Sequence, residues 1–338
     1  MDKALSSWKI PLYLLLFGVL TIIGVFWEDF GQQKYTAGQV AGTNTNLEVF
    51  VQPETGRKPI LEAINNAQTE VLVEVYLLSD REVVDALVGA AERGVGVQVM
   101  MEQHPFGGGN VNRLTADRLR STAVEFKWTN PTFALTHEKA IIVDGQTLFI
   151  LNQNLTQSAF SKNREYNIID YNPEDVSEAR QMFLADWERK RYGPKAPNLI
   201  VSPENARGKL EALINSAQQS LDVEAEIIQD RDMIKSLGVK ARGIGVRVIL
   251  PDFGKVAANR EEAEELKQAG VEVRTLRSPY VHAKLILVDQ VRAYVGSVNL
   301  SDASLDQNRE LGILVSQADI MEKLSRTFEN DWQKAQEI

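Results

Sequence analysis

Residues 137–154 read HEKAIIVDGQTLFILNQN, and residues 282–299 read HAKLILVDQVRAYVGSVN. The stretches stand 145 positions apart (282 less 137) and carry His, Lys, Asp and Asn at matching places. Each holds a four-residue apolar run, Ala140–Val143 and Leu285–Val288, that reads as a buried strand. Residues i and i+2 of a strand share a face. His137 is therefore expected beside Lys139, and His282 beside Lys284. Asp144 and Asp289 lie an odd number of residues past their histidines, on the opposite face, and are expected to be structural. Asn152 with Asn154, and Ser297 with Asn299, repeat the i, i+2 spacing.

The duplication extends outward. Asn163-Arg164-Glu165 recurs as Asn308-Arg309-Glu310, and Asp186-Trp187 as Asp331-Trp332, again 145 apart. GVGVQV at 94–99 matches GIGVRV at 243–248 at an offset of 149. One unit is written twice, over 47–192 and 199–338, with a turn-rich connector at 193–198. The pattern predicts strands at 71–78, 95–101, 221–228, 244–250 and 271–276. It predicts helices near 81–92, 208–218, 260–268, 175–190 and 318–335, with Trp187 and Trp332 in the core. Alternating strands and helices argue for an α/β layered body. Two such copies are expected to meet about a pseudo-twofold axis and to share one site.

A lone His-x-Lys is uninformative, and a lone buried Asn commonly satisfies a backbone group. A duplicated core, however, has little reason to keep a polar strand face of His, Lys and Asn twice. Lysines and amides around an anion suit a phosphate whose charge shifts during displacement. One histidine can attack phosphorus while the other protonates the leaving oxygen. A carboxylate on each ring's second nitrogen would fix its tautomer, and Glu165 and Glu310 are the candidates. The catalytic set is thus His137, Lys139, Asn154, Glu165, His282, Lys284, Asn299 and Glu310, with Asn152 and Ser297 binding substrate. Arg164 and Arg309 are expected to form structural salt bridges. This chemistry calls for no metal and no cofactor.

With these residues in view, the second stretch resembles the phospholipase D superfamily pattern HxKxxxxDxxxxxxGSxN at every defined position. The first keeps His137, Lys139, Asp144 and Asn154 but has Leu151-Asn152 where the pattern has Gly-Ser. The likeness covers about residues 47–335. It implies an α/β fold, a phospholipase D-like αβ sandwich whose duplicated halves pack as a pseudodimer around one site. It also implies a metal-independent, two-step route through a phosphohistidine. By resemblance the nucleophile is His137 and the acid His282; the near symmetry of the sequence gives no independent way to choose. Leu151 adds bulk where the family keeps glycine, so an altered pocket shape is expected.

The substrate must be sought elsewhere in the chain. Ile10 to Phe26 is an apolar run flanked by Trp8 and Trp27, with Lys3 and Lys9 before it and Glu28 and Asp29 after it. It reads as one transmembrane helix over 10–27, behind a short tail at 1–9, with the body outside the cytoplasm. Residues 28–46 read as a flexible linker spanning on the order of 25 Å. The 338 residues contain no cysteine and three histidines, which excludes disulfide scaffolds, thiolate metal sites and cysteine nucleophiles. Net charge is −9 overall, −6 over 47–192 (15 basic, 21 acidic) and −4 over 198–338 (18 basic, 22 acidic). Neither half has the basic surface that nucleic-acid binding favours. The expected substrate is a phospholipid at the membrane, handled by a monomer. A membrane-anchored nuclease and a non-catalytic phosphate-binding module are the alternatives. Arg113, Arg118, Arg120 and Lys127, after Gly107-Gly108-Gly109, read as a solvated helix and its surroundings, with a nucleic-acid flap as the other reading. His104 reads as a surface-loop residue.

Overall fold

The computed structural model describes residues 46–107 and 109–338. The expected tail and membrane helix, and all but the last residue of the linker, lie outside them. Among the described residues no helix is long and apolar enough to cross a membrane.

The first half runs β1 (Leu47–Gln52), α1 (Lys58–Asn66), β2 (Glu70–Val75), α2 (Arg81–Glu92), β3 (Gly96–Met101), α3 (Val111–Arg120), β4 (Glu125–Trp128), β5 (Lys139–Val143), β6 (Thr147–Ile150), α4 (Gln157–Ser161), β7 (Asn163–Asp170) and α5 (Pro173–Trp187). The second runs β8 (Leu199–Ser202), α6 (Ala206–Asn215), β9 (Ser220–Ala225), α7 (Arg231–Lys240), β10 (Gly245–Pro251), α8 (Arg260–Gln268), β11 (Glu272–Leu276), β12 (Tyr280–Val281), β13 (Lys284–Val288), β14 (Arg292–Gly296), α9 (Asp302–Asp306), β15 (Glu310–Val315), α10 (Ala318–Lys334) and β16 (Gln336–Glu337). The sheets have corresponding orders, β4-β3-β2-β5-β6-β7-β1 and β11-β10-β9-β13-β14-β15-β8, with β16 beyond β11 and β12 added to β7 of the first sheet. In each sheet the strands joined through crossover helices are parallel, as β2 with β3 and β9 with β10. The strands carrying the quoted stretches form antiparallel hairpins, β5–β6 and β13–β14.

Those hairpins explain the repeated aspartates. Asp144 and Gly145, like Asp289 and Gln290, have positive φ, and the turns close by Gln146 N–H to Val143 and Val291 N–H to Val288. Aspartate tolerates this left-handed conformation better than most residues. Its carboxylate then accepts the backbone N–H groups of Gln68, Thr69 and Glu70 in one half and of Gln218, Gln219 and Ser220 in the other. Both aspartates therefore anchor the edge of the neighbouring β2 or β9 and stand away from the histidine face.

The sheets meet through a central core in which Leu72, Ile142 and Ile168 of the first half join Leu285, Leu287 and Ile313 of the second. Helices α5 and α10 contribute Phe183 and Phe328 to the same core. Trp332 is buried there, stacked on Phe328, whereas Trp187 is half-buried beside Phe183. Each sheet covers its outer face with its own helices in a separate core. Each large apolar side chain so buried contributes roughly 1.5–3 kcal/mol. The central core, not a connecting segment, joins the two halves and fixes the site between them.

Candidate active site

Each histidine is carried to the other half by the segment before it. Thr136 bridges Arg309, and the N–H groups of His137 and Glu138 both donate to the Arg309 carbonyl. In the mirror arrangement β12 pairs with the start of β7, and His282 N–H donates to the Arg164 carbonyl (3.2 Å). Each histidine therefore lands beside the Asn-Arg-Glu segment of the opposite copy. His137 Nδ1 lies 2.9 Å from Glu310 Oε2, and His282 Nδ1 lies 2.7 Å from Glu165 Oε2. Both glutamates are completely buried, and the two histidine side chains are 13% and 9% exposed. Glu310 is held further by the Ser304 hydroxyl (2.7 Å), and Glu165 by the Asn163 amide (2.9 Å). With each Nδ1 donating to a carboxylate, each Nε2 is the nitrogen left for chemistry.

Lys139 and Lys284 are buried, and both bend back onto the backbone carbonyl of the histidine two residues before. The charge of Lys284 acts on both His137 and Lys139, so the two halves form one electrostatic unit. Burial pushes the His137 imidazole down to about 4, against the opposing pull of Glu310. Burial likewise brings Lys139 down to about 7. Burial alone would raise Glu310, but the charge and hydrogen bond of His137 outweigh it and hold the carboxyl below its ordinary range. The Oδ1 atoms of Asn154 and Asn299 are buried and meet no hydrogen-bond partner among the described residues. A phosphate between the lysines would supply the missing negative charge and partners for the amide N–H groups.

Asn152 and Ser297 correct the sequence reading. Both are wholly buried. The Asn152 amide donates to the Gly296 carbonyl of the other half (2.7 Å), and the Ser297 hydroxyl donates to the Leu311 carbonyl (3.2 Å). They lie just past the ends of β6 and β14 and brace the joint beneath the site. Leu151 is fully buried in the outer core of the first half, and its N–H donates to the Lys139 carbonyl (2.9 Å), so it stands opposite Lys139 on the β5–β6 hairpin. Gly296, its counterpart, faces Gly312 so closely that a Cβ would lie 2.3 Å from the Gly312 Cα and 2.7 Å from the Tyr294 hydroxyl. In the first half Asn167 and Phe149 stand where Gly312 and Tyr294 stand in the second, and the larger side chain is accommodated.

Arg164 pairs with Asp331 and Glu54, and Arg309 with Asp186 and Glu204, so both arginines tie one half to the other, as expected of structural ion pairs. His104 is exposed. Arg113, Arg118 and Arg120 lie on α3, where Arg118 pairs with Asp85 and Arg120 covers Phe126 and Trp128. Lys127 lies over the Trp187 ring. Most of this basic group is therefore spent on the protein itself.

Two site residues are absent from the sequence reading. The Tyr76 ring meets His137 edge-on, centroids 4.8 Å apart, and lies 5.3 Å from Lys139 Nζ. Glu226 accepts from Lys284 Nζ (2.8 Å) and the Tyr280 hydroxyl (2.9 Å), and its Oε2 lies 3.4 Å from His282 Nε2. The 145-residue offset hid both, because they correspond to each other at an offset of 150 (226 less 76).

Comparisons with known proteins show the family of the chain. The family described as "Cardiolipin synthase, PLD-like domain" matches residues 60–187 and 210–332, most of both halves. A probable cardiolipin synthase of Bacillus subtilis is 22% identical over 88% of this chain and 68% of its own length. A cardiolipin synthase of Clostridium perfringens is 23% identical over 91% and 75%. In fold, the chain is similar to the crystal structure of phosphatidylserine synthase from Haemophilus influenzae, with a TM-score of 0.68, 13% identity, and coverage of 90% of this chain and 88% of that one. This chain belongs to the phospholipase D-like family and is a phosphodiesterase of the phospholipase D type.

Proposed function

We propose that the protein transfers or hydrolyses phosphatidyl groups of phospholipids, through a covalent phosphohistidine, at a membrane to which residues 10–27 anchor it. The observation that carries the reading is the pair of histidines, each fixed at Nδ1 by a glutamate from the opposite half and flanked by a buried lysine. In the proposed route one Nε2 attacks phosphorus while the other hands a proton to the leaving oxygen. Lys139, Lys284, Asn154 and Asn299 hold the non-bridging oxygens, and Glu165 and Glu310 orient the rings. An alcohol or water then gives its proton to the second histidine and displaces the first from phosphorus.

Support for a lipid substrate comes from three directions. The relatives carry the names of cardiolipin synthases, which favours an alcohol as acceptor. The apolar run would hold the site at the lipid surface and raise the effective substrate concentration. Both halves are acidic, which disfavours a nucleic-acid backbone. The test is to incubate the full chain in detergent, with chelator, with mixed phospholipid vesicles and separately with single-stranded DNA. Phosphatidic acid or an exchanged lipid, absent from His137→Ala, is the expected result. Cleaved DNA with intact lipid would replace this reading by a nuclease.

A further inference from the structure

Tyr76 and Glu226 hold equivalent backbone positions past the ends of β2 and β9. Tyr76 N–H donates to the Glu138 carbonyl (3.1 Å), and Glu226 N–H donates to the Ala283 carbonyl (2.8 Å). Glu138 and Ala283 each follow their histidine by one residue, so these bonds are counterparts. At one place in the fold, one half supplies an aromatic ring and the other a carboxylate.

We propose that Glu226 is a positioning residue that keeps a proton on His282 Nε2. The proposal rests on the two-histidine phosphoryl route above, in which the resemblance makes His282 the acid, and names the group that equips His282 for that part. Both rings give their Nδ1 proton to a glutamate, so the difference between them must arise at Nε2. Beside His137 stands the edge of the Tyr76 ring, and no acceptor for Nε2 is found among the described residues. The burial that pushes His137 down to about 4 keeps its Nε2 lone pair bare at neutral pH. Beside His282 the Glu226 carboxylate lies 3.4 Å from Nε2, an ion-pair distance at which its negative charge favours a proton on that nitrogen.

The groups facing the His282 ring are Glu165 at Nδ1, Glu226 at Nε2, Lys284, which pairs with Glu226, and Tyr280, whose hydroxyl donates to Glu226. Burial works to raise Glu226, but the charges of His282 and Lys284 outweigh it and hold it well below the ordinary carboxylate range. Glu226 therefore stays a carboxylate beside Nε2 and does not take the proton away. Its side chain is 17% exposed. In the first step the His137 Nε2–P bond forms, the P–O bond breaks, and the leaving oxygen takes the His282 proton. In the second step the acceptor hydroxyl returns a proton to His282, its oxygen bonds phosphorus, and the P–N electrons go back to His137. Glu226 gains and loses no proton in either step.

The test needs no substrate, so it stands apart from the question of lipid. The full chain is labelled with 15N-histidine in detergent, and nitrogen shifts are read at neutral pH. The chain has three histidines, and His104→Ala assigns the exposed one. Expected are protons on both ring nitrogens of His282 and on Nδ1 alone of His137. Glu226→Gln should remove the Nε2 proton, and Glu226→Asp, which keeps the charge, should restore it. A bare His282 Nε2 in the unaltered protein, or a proton unmoved in Glu226→Gln, would overturn the proposal. In turnover, Glu226→Gln should slow release of glycerol from phosphatidylglycerol about 10–100-fold, as expected for a weakened general acid. Release of p-nitrophenol from its phosphatidyl ester, which needs no acid, should change by less than about threefold. Equal losses on the two esters would also count against the assignment.

Discussion

His137 lies against an aromatic ring and His282 against a carboxylate, although both occupy the same place in their copies and both bond a buried glutamate from the opposite half. The scaffold is symmetric where it must hold geometry and unequal where chemistry needs opposite properties. A two-step transfer requires one bare nitrogen and one proton-bearing nitrogen at the same moment. Two identical environments would give two bare nitrogens or two protonated ones. Pairs of titratable groups set apart by their surroundings are the usual sign of an acid and a base. The first half supplies an aromatic ring, a desolvated imidazole and an ammonium with no direct ion pair among the described residues, and the second half an imidazole and an ammonium that share Glu226.

The sharpest break in this comparison is replacement of each histidine in turn. His137→Ala should abolish turnover and leave no phosphate on the protein, because the group that bonds phosphorus is gone. His282→Ala should slow phospholipid turnover about 10²–10⁴-fold and still form the adduct on His137 from a p-nitrophenyl ester. Rates and mass spectrometry of quenched protein read both outcomes. Adducts on His282 in the unaltered enzyme would reverse the roles.

Next in size are the orienting carboxylates, whose effects should cross between the halves. Glu310→Gln lies in the second half yet should disable His137, and Glu165→Gln should disable His282. Replacing the carboxylate that fixes a catalytic histidine's tautomer by its amide costs up to about 10⁴-fold in a Ser-His-Asp triad. The diagnostic result is that Glu310→Gln reduces adduct formation from the p-nitrophenyl ester whereas Glu165→Gln spares it. The opposite pattern would mean that each glutamate serves the histidine of its own copy.

The pH profile is a gentler probe. His137 must be neutral to attack, and burial holds it near about 4, so kcat/KM should fall as pH drops through that value. Lys139 must be charged to bind phosphate, and burial brings it to about 7, so activity should fall as pH rises past there. Lys139→Arg keeps its charge at every accessible pH and should move the upper limb, leaving only the part set by the general acid. A limb that does not move in Lys139→Arg would have to belong to another group.

Much of this site could be read in the chain, and the rest could not for a definite reason. The repeat at 145 identified both hairpins, both glutamates and both arginines, because His-to-Glu spacing is 28 residues in each copy (165 less 137, 310 less 282). Strand parity placed Asp144 and Asp289 on the far face, where they sit in the turns. Parity said nothing of depth, however, and Asn152 and Ser297, just past the ends of β6 and β14, are wholly buried. Which glutamate meets which histidine depends on how two sheets stack, and no local pattern encodes that. Tyr76 and Glu226 escaped because 61 residues separate Tyr76 from His137 but 56 separate Glu226 from His282. The intervening segment holds the exposed turn after β3, where length varies at little cost.

The smallest effect is expected where the halves should behave alike. Asp144 and Asp289 each accept three backbone N–H groups from a turn of left-handed φ, and Asp144 also accepts the Thr69 hydroxyl. Asparagine tolerates the same φ and keeps an acceptor oxygen, so Asp144→Asn and Asp289→Asn remove little but charge. Bonds to a charged acceptor exceed neutral ones by about 1 kcal/mol, which sets the expected loss for each variant in a urea titration. Burial works to raise both carboxyls, but the backbone bonds outweigh it and hold them below their ordinary range. A depressed carboxyl stabilises the fold above its unfolded pKa of about 3.9 and loses that contribution as pH falls through the folded value. The variants should therefore be weaker than the parent at neutral pH and converge with it in acid, by similar amounts in the two halves. A loss confined to one half would show that the turns, too, have diverged, and that the inequality of the copies is not restricted to the groups around the histidines.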